Sequence, residues 1–340
     1  MKKLLILCLV LALCIPVFSG CFEFSDVLYC LQGENGKWGY VDSWGKWIID
    51  PIYDDAYDFD KEGVAIVYVD GEWGFINVKG ENICDRMFDD VGLFAEDGLA
   101  LVYDDELFGY VKRDGTFAIE PKFDYATDFF ANGYALALDG NLYGYINREG
   151  EWVIKPQFHA ADRFFAGYAP VSVFGEWGFI NEAGEFVIEK KYENACSFDE
   201  SGMACVCVDG LCGFIDFEGN FLIEPKFENA FPFGDGELTS VCIDGLWGFI
   251  NKSAEIVIEP QYEDAYPFLG QSLAAVLVDG EWGYIYKSGN IAISPRFDYA
   301  TPFMPADEYY DVPYAYVEHG DTYTYIDTDG LPLATGDIIQ

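Results

Sequence analysis

Trp38-Gly39-Tyr40-Val41 and Trp73-Gly74-Phe75-Ile76 open a series of short blocks that recur with little change along the chain. The other blocks are Phe108-Gly109-Tyr110-Val111, Tyr143-Gly144-Tyr145-Ile146, Trp177-Gly178-Phe179-Ile180, Cys212-Gly213-Phe214-Ile215, Trp247-Gly248-Phe249-Ile250, Trp282-Gly283-Tyr284-Ile285 and a degenerate Tyr323-Thr324-Tyr325-Ile326. Successive blocks start 35, 35, 35, 34, 35, 35, 35 and 41 residues apart. A fixed period of this size indicates one supersecondary unit stacked on copies of itself. We therefore expect nine tandem units.

One unit reads as a β-meander. The run 64–69 is rich in β-branched residues and predicts a strand, which the turn Asp70-Gly71 joins to a returning strand over 72–77. A glycine such as Gly80 recurs seven residues after the start of the block in all units but one, where Ala254 replaces it. A third strand is expected from runs such as Trp47-Ile48-Ile49, with a proline at its end because proline lacks the ladder donor.

A connector follows the third strand and has the pattern aromatic, acid, any, small, any, any, Phe. Phe123-Asp124-Tyr125-Ala126-Thr127-Asp128-Phe129 is one example. Its hydrophobic period is mixed, so we expect a compact loop or one helical turn that places two aromatic rings in the core. The fold class is therefore all-β, a tandem array of three-stranded antiparallel units with packed connectors.

The array can be open or closed. Meander units around an axis make a β-propeller, and nine exceed the usual four to eight blades. The chain starts with a first strand, Val27-Leu28-Tyr29, and ends with a third strand, Leu331-Pro332-Leu333, so no unit is shared between its two ends. This favours an open superhelical β-solenoid capped by the degenerate ninth unit, with a propeller-like closed ring as the alternative.

The glycine of each block needs a local reason, because glycine in mid-strand costs stability unless something fills its place. Either a large ring lies across it or another backbone approaches it. Its recurrence makes the contact part of the repeat rather than a local active site.

The N-terminal residues have the features of a targeting signal. Lys2 and Lys3 precede an apolar run, 4–13, that is too short to span a bilayer. Phe18-Ser19-Gly20-Cys21 resembles the lipobox of bacterial lipoproteins, with Phe18 as a departure. The resemblance implies a signal peptide over 1–20, acyl chains such as palmitate on Cys21, a short tether over 21–25 and a repeat domain over 26–340 outside the membrane. A cleaved secretory signal and a secreted protein are the alternative.

The amino-acid composition excludes some classes of binding partner. The chain has 19 basic and 59 acidic residues, a balance that repels nucleic acid and anionic lipid. Its 51% hydrophobic content excludes a disordered acidic tail. The negative surface could serve solubility, which we favour, or attract cations and basic proteins.

A row of acids occupies the second connector position and is the candidate ligand-facing set. It consists of Asp54, Asp89, Asp124, Glu193, Glu228, Glu263 and Asp298, and His159 replaces the acid in one unit. The alternative, which we favour, is that each side chain caps backbone amides of its connector.

Seven cysteines follow Cys21, and an odd number does not indicate a complete disulfide framework. No paired Cys-x-x-Cys motif supports a zinc site. The two-residue turn Asp209-Gly210 places Cys207 opposite Cys212 in a non-hydrogen-bonded pair, which predicts a cross-strand disulfide. Cys242, one repeat further on, is the competing partner.

With these motifs, the chain resembles the WG-repeat (KWG-like) family of bacterial proteins over about residues 26–335. Cys212 in place of the ring and Arg86 and Lys190 in place of the proline are local departures. The resemblance implies repeat-mediated interaction at the cell envelope and brings no catalytic residues or cofactor with it.

Two hypotheses follow for function. The first is a non-enzymatic, monomeric scaffold, anchored at the membrane, that presents a broad surface to an envelope protein or glycan. The second is an envelope hydrolase with its site at the insertion over 304–312, where Asp307 and Glu308 stand beside Tyr309 and Tyr310. The chain contains no nucleophile elbow, phosphate loop or HExxH motif, so we favour binding.

Overall fold

The computed structural model describes residues 27–306, 312–320 and 322–333. These residues form nine antiparallel sheets, which follow one another along the chain, and they contain no helix. Two sheets lie in a compact unit that ends at Met87, and seven lie in a second compact unit that starts at Phe88. The expected all-β tandem array is confirmed.

Each complete sheet has four strands in linear order. The innermost is a two-residue strand: β4 (Asp55–Ala56), β7 (Asp90–Val91), β11 (Tyr125–Ala126), β15 (Ala160–Ala161), β19 (Asn194–Ala195), β23 (Asn229–Ala230), β27 (Asp264–Ala265) and β31 (Tyr299–Ala300). The next is the first strand of a hairpin: β1 (Tyr29–Gln32), β5 (Val64–Val69), β8 (Leu99–Asp104), β12 (Ala135–Asp139), β16 (Ala169–Val173), β20 (Ala204–Val208), β24 (Leu238–Ile243), β28 (Leu273–Val278) and β32 (Ala315–His319).

The returning hairpin strand carries the repeated block. These strands are β2 (Trp38–Val41), β6 (Glu72–Asn77), β9 (Leu107–Lys112), β13 (Leu142–Ile146), β17 (Glu176–Ile180), β21 (Leu211–Ile215), β25 (Leu246–Asn251), β29 (Glu281–Tyr286) and β33 (Thr322–Ile326). The outer strand follows: β3 (Trp47–Tyr53), β10 (Phe117–Phe123), β14 (Trp152–Phe158), β18 (Phe186–Tyr192), β22 (Phe221–Phe227), β26 (Ile256–Tyr262) and β30 (Ile291–Phe297).

The hairpin prediction is confirmed to the residue. Strands β5 and β6 have the predicted bounds and pair Tyr68 with Trp73. Asp70 and Gly71 both have positive φ, 55° and 96°. Two left-handed residues match the right-handed twist of the flanking strands, which is why Asp-Gly recurs at these turns.

The connector contains a short strand, which the prediction of a loop or helical turn missed, although its two aromatic rings do lie in the core, as at Phe227 and Phe233. Two of its residues form the innermost strand of the next sheet, as where Ala126 of β11 pairs with Ala137 of β12. Each complete sheet therefore takes its inner strand from the preceding sequence repeat. Two residues are too few to show the period of two by which strands are recognised in a sequence.

The proline also differs from expectation, because it lies within the outer strand rather than at its end. Pro121 is the fifth of seven residues in β10, whose register with β9 shifts between Ile119 and Phe123. This bulge brings the Ile119 carbonyl oxygen and the Pro121 nitrogen to 2.7 and 2.6 Å from the place of a Cβ atom on Gly109. A backbone therefore approaches the block glycine, and only glycine fits there.

The second sheet has no outer strand among the described residues that follow its hairpin. Arg86 takes the proline position, no outer strand forms, and only a bridge joins Ile76 to Asn82. The atoms nearest to a Cβ on Gly74 are then those of the Met87 side chain. The absence of an outer strand thus removes the backbone contact from this glycine. The missing proline alone does not explain this, because the sheet with Lys190 in the proline position keeps its outer strand and the backbone contact at Gly178.

The core lies between consecutive sheets and takes in the repeated aromatic rings. One cluster of buried residues joins Tyr145 and Phe158 of one sheet to Val171 and Ile180 of the next. The turn glycines also lie at the interface between consecutive sheets. A Cβ on Gly184 would lie 3.1 Å from the side chain of Ile154 in the preceding sheet. The aromatic period therefore reflects core packing.

Among the described residues each sheet is hydrogen-bonded only within itself, and none forms a barrel. This agrees with a tandem array of separate sheets. The expected third strand at 331–333 is reduced to a bridge between Ile326 and Pro332.

The predicted signal peptide (1–20), the lipidation site Cys21 and the tether (21–25) lie outside the described residues. Within the part of the chain that the structure describes, we find no helix with the length and apolar character needed to cross a membrane.

Candidate ligand-binding cavity

Five consecutive connectors of the second unit meet around one cavity of about 810 Å³. Each contributes at least one lining residue: Asp162, Cys196, Phe231, Tyr266 and Pro302 are one from each connector, and Phe130 and Ala131 line the cavity directly after the preceding connector. We call this space the connector cavity. It forms because each connector lies at the inner end of its sheet.

The connector motif explains which side chains reach the cavity. Phe227 ends an outer strand, Ala230 belongs to the inner strand, and Phe233 is buried against Phe214 of the repeated block, with ring centroids 5.0 Å apart. Between the small residue and this last ring stand Phe231 and Pro232, which line the cavity. The aromatic and small residues of the motif therefore hold the connector in place, and the two positions between the small residue and the last ring can differ from unit to unit.

A tyrosine of the block holds the connector backbone in place. The hydroxyl of Tyr145 donates to the carbonyl oxygen of Asp162 at 2.7 Å. Equivalent hydrogen bonds start at Tyr40, Tyr110 and Tyr284. Burial raises the pKa of Tyr145 well above its usual range, with a smaller contribution from the charge of Asp162. The neutral hydroxyl is therefore the form that holds the cavity wall.

The charged side chains of the lining are mostly acidic. Asp162, Asp199, Glu200 and Asp235 face a single cation, Arg163, among the lining residues. Asp162 is already engaged, because its Oδ1 accepts from the amide of Arg163 at 2.7 Å and its Oδ2 accepts from the Ser197 hydroxyl at 2.9 Å. Glu200 and Asp235 are exposed. The cavity therefore favours positively charged groups.

Asp199 is the least satisfied of these acids. It is 8% exposed, and its Oδ1 accepts from the amides of Ser201 and Met203 at 2.9 and 3.3 Å. Its Oδ2 is buried and accepts no hydrogen bond from the described residues. A buried acceptor without a partner is costly, so this oxygen gains from a donor that approaches it.

Aromatic rings form the other part of the lining. Phe231 and Tyr266 are half-buried, with centroids 6.0 Å apart, and Tyr266 stacks on Trp282 at 5.3 Å. Burial raises the pKa of Tyr266, helped by the neighbouring Tyr299 and Asp264. The cavity thus combines carboxylates with flat apolar surface, a combination that suits a ligand with both cationic and apolar groups.

The predicted acid row lies elsewhere, at the hairpin turns. Each of its carboxylates accepts a hydrogen bond from an amide in the hairpin turn of the following unit rather than from its own connector: Asp54 from Asp70, Asp89 from Asp105, Asp124 from Gly140, Glu193 from Gly210, Glu228 from Gly245, Glu263 from Gly280 and Asp298 from Gly320. His159 does the same through Nδ1, which accepts from the amide of Phe174 at 3.3 Å. These bonds account for the row without a ligand.

Cys207 and Cys212 lie opposite each other in the pair β20–β21 and are joined by a disulfide, with Cα atoms 4.0 Å apart. The carbonyl oxygen of Cys207 accepts from the amide of Glu193, so it points away from β21 and the pair is not hydrogen-bonded. Cys242 has a free thiol 3.6 Å from Oε2 of Glu228.

The remaining predicted positions are only partly described. Met304 pairs with Tyr314, and residues 307–311 of the insertion considered for a hydrolase lie outside the described residues. Among the residues that are described, no group of three His, Cys, Asp or Glu side chains could hold a metal ion.

The sequence analysis did not identify the cavity residues, although a signal was present. The two positions after the small connector residue vary from unit to unit, while the positions around them repeat. They read Tyr57-Asp58, Gly92-Leu93, Thr127-Asp128, Asp162-Arg163, Cys196-Ser197, Phe231-Pro232, Tyr266-Pro267 and Thr301-Pro302, and the last five pairs contribute to the lining of the cavity. Variation inside a strict repeat marks positions that the shared fold does not determine.

Comparison with solved structures finds similar folds at low sequence identity. A crystal structure of the eukaryotic initiation factor has a TM-score of 0.55 at 8% identity, with 91% of this chain and 95% of that chain covered. Sqt1 of Saccharomyces cerevisiae has a TM-score of 0.45 at 14% identity, covering 72% and 83%. Hsv2p of Kluyveromyces lactis has a TM-score of 0.40 at 12% identity, covering 68% and 91%. At 8% identity the likeness to the initiation factor concerns the fold alone. A search of curated proteins found no match to the chain.

Comparison of the chain with models of protein families identifies one family. The model of the "WG containing repeat" matches eight times, at residues 38–73, 73–107, 108–143, 143–173, 177–212, 213–247, 247–282 and 282–312. These matches start at or next to the repeated blocks and together span most of the chain. The protein therefore belongs to the WG-repeat family.

Proposed function

We propose that this WG-repeat protein is a non-enzymatic binding scaffold, held by lipid at the outer face of a bacterial membrane, whose connector cavity binds a basic, partly apolar peptide segment of an envelope protein. The observation that carries the binding proposal is the convergence of five connectors on one cavity, with lining positions that vary between units. Repeat scaffolds bind through such surfaces, where a constant frame presents variable side chains.

Charge favours a peptide over a neutral glycan. The chain carries a formal net charge of -40, and the cavity adds four carboxylates against one guanidinium. Lysine or arginine side chains of a peptide would pair with Glu200 and Asp235 and offer donors to Oδ2 of Asp199. Its apolar side chains would lie against Phe231 and Tyr266.

The binding proposal is tested with a labelled peptide of alternating lysine and leucine residues, titrated with the protein and followed by fluorescence anisotropy. The double variant Glu200→Gln/Asp235→Asn should weaken binding about tenfold, since two partly exposed ion pairs are each worth about 0.7 kcal/mol. Raising the salt concentration should weaken binding by the wild type more than by the variant.

The matched control removes the same charge outside the cavity. Glu224→Gln/Glu259→Gln changes two exposed acids of outer strands and should leave the affinity within about twofold. Equal losses in both double variants would show that the whole acidic surface, rather than the cavity, attracts the peptide. Binding of a chito-oligosaccharide with no binding of the peptide would replace the peptide proposal with a glycan.

The anchoring proposal is tested separately in cells, by incorporation of labelled palmitate into the full-length chain. The wild type should be labelled and Cys21→Ala should not, because Cys21 is the residue that follows the lipobox-like sequence. Cys14→Ala, which changes a cysteine just ahead of that sequence, should keep its label. Globomycin should make the uncleaved precursor accumulate. A wild-type protein without label would indicate a secreted protein.

A further inference from the structure

Four cysteines lie together on one face of the sheet that contains β19, β20 and β21. Cys205 and Cys207 are two residues apart on β20, so their side chains point to the same side. Cys212 is opposite Cys207, and Cys196 is opposite Cys205, whose carbonyl oxygen accepts from the Cys196 amide at 2.9 Å. All four side chains belong to one hydrophobic cluster.

Two of the four form the disulfide, and the other two are free thiols with different surroundings. Cys205 is 3% exposed, and its Sγ lies 3.5 Å from the carbonyl oxygen of Ala230. Cys196 is half-buried and lines the connector cavity. One thiol is therefore open to a molecule in the cavity, and its neighbour is shielded behind it.

The pair is also polarised. The hydrogen bond from the Cys205 thiol lowers the pKa of Cys196, and it outweighs the burial and the nearby charge of Asp162, both of which raise it. The same hydrogen bond and burial raise the pKa of Cys205 well above its usual range. The single proton of Cys205 can bond Ala230 or Cys196, and ionisation of Cys196 favours the second partner. The accessible thiol is thus the better nucleophile.

We propose that Cys196 and Cys205 form a redox-active dithiol that reduces small disulfide-bonded molecules entering the connector cavity. Cys196 shares the connector cavity with the proposed peptide site, but the exchange does not depend on peptide binding. It assigns a chemical role to a pair that the structural disulfide leaves free.

The reaction balances as a thiol–disulfide exchange. The Cys196 thiolate attacks one sulfur of the incoming disulfide, forms a mixed disulfide and releases one small thiolate. Cys205 then gives up its proton and attacks the Cys196 sulfur, which forms the Cys196–Cys205 disulfide and releases the second thiolate. The two cysteines lose two electrons to the small disulfide, and their two protons end on the two released thiols.

The test uses the purified full chain and oxidised glutathione as the probe, with acid quenching and disulfide mapping by mass spectrometry. The wild type should release two glutathione molecules for each Cys196–Cys205 disulfide formed and should retain Cys207–Cys212. Cys205→Ser should stop at a stable glutathione adduct on Cys196. Cys196→Ser should leave Cys205 unmodified, and Cys242→Ser, the control, should behave as the wild type.

A second measurement needs no variant and guards against loss of folding. Competitive alkylation of the native wild type should modify Cys196 at least about tenfold faster than the buried Cys84. Equal rates at these two cysteines, a wild-type mixed disulfide that does not proceed to Cys196–Cys205, or scrambling of Cys207–Cys212 would each overturn the proposal.

Discussion

The carbonyl oxygen of Ile154 lies 2.5 Å from the position that a Cβ atom would occupy on Gly144. The bulged outer strand and the glycine of the repeated block therefore fit each other, and neither can change alone. Because backbone rather than a flexible side chain fills the space, the strand itself would have to move.

Gly144→Ala should destabilise the protein by about 3 kcal/mol, the cost of overpacking a closely fitted core. The midpoint of urea unfolding measures the change. Gly92→Ala is the control, since the nearest atom to its added Cβ is 3.6 Å away, and it should shift stability by less than about 0.5 kcal/mol. A tolerated Gly144→Ala would contradict the assigned reason for the block glycine.

Ala254→Gly should stabilise the protein. Ala254 occupies the turn position of the recurrent glycine with φ of 61°, a conformation that costs an L-residue about 1 to 2 kcal/mol. The greater conformational freedom of glycine in the unfolded chain reduces this stabilisation by about 0.4 to 1 kcal/mol. The expected net increase in the free energy of unfolding is about 0.5 kcal/mol.

The control for this turn is Ala183→Gly, one position before the equivalent Gly184 and without positive φ. Here glycine relieves no strain, so the thermal midpoint should fall. A fall in both variants would show that Ala254 is not strained.

Tyr145→Phe should cost about 1 kcal/mol, because it removes the hydrogen bond to Asp162 that holds a connector. The substitution should also change how the stability of the protein depends on pH in alkaline solution. The unfolded tyrosine ionises near pH 10, while burial keeps the folded one protonated to a higher pH. Above about pH 10 the folded state binds more protons than the unfolded state, so stability falls as pH rises.

The variant should therefore lose stability less steeply than the wild type above about pH 10, by up to about 1.4 kcal/mol for each pH unit. Tyr286→Phe, at an exposed site, should keep the wild-type slope. Denaturant midpoints measured between pH 8 and pH 11 compare the three proteins. Identical slopes in all three would refute a role for the buried hydroxyl.

Loss of the Cys207–Cys212 disulfide should destabilise its hairpin by about 2 kcal/mol, the chain-entropy value for the short loop between residues five apart. Reductant should speed amide hydrogen exchange in β20 and β21 of the wild type. In Cys207→Ala/Cys212→Ala the exchange should already be fast and should not respond to reductant. Protection that is the same in every case would mean that the disulfide does not contribute.

Local sequence patterns were enough to predict most of the fold. The β-branched run over 64–69 and the Asp-Gly turn after it predicted a hairpin, because backbone conformation and hydrogen bonding there depend on neighbouring residues. The inner strand at Tyr125–Ala126 could not be found in this way, since its partner lies in the next unit and two residues have no period.

The candidate cavity was still harder to predict. Phe231 and Asp162 come together only because successive sheets turn their inner ends to one space, and that curvature depends on how each sheet packs on the next. The acid row shows the same limit. Glu228 was identified as a capping side chain, but the amide that it caps, that of Gly245, belongs to the following hairpin.

The inner strand of each complete sheet comes from the preceding repeat, and this has a consequence for how such a chain can change its length. A cut at Trp247, the start of one repeated block, separates β23 and β24 from their partners β25 and β26, but loss or gain of one whole period between equivalent positions restores every pairing. Recombination within the coding sequence can therefore add, remove or exchange units while the remaining sheets keep all their partners. An event in one of the five units that line the cavity replaces one pair of lining residues, so new binding surfaces can arise without a new fold.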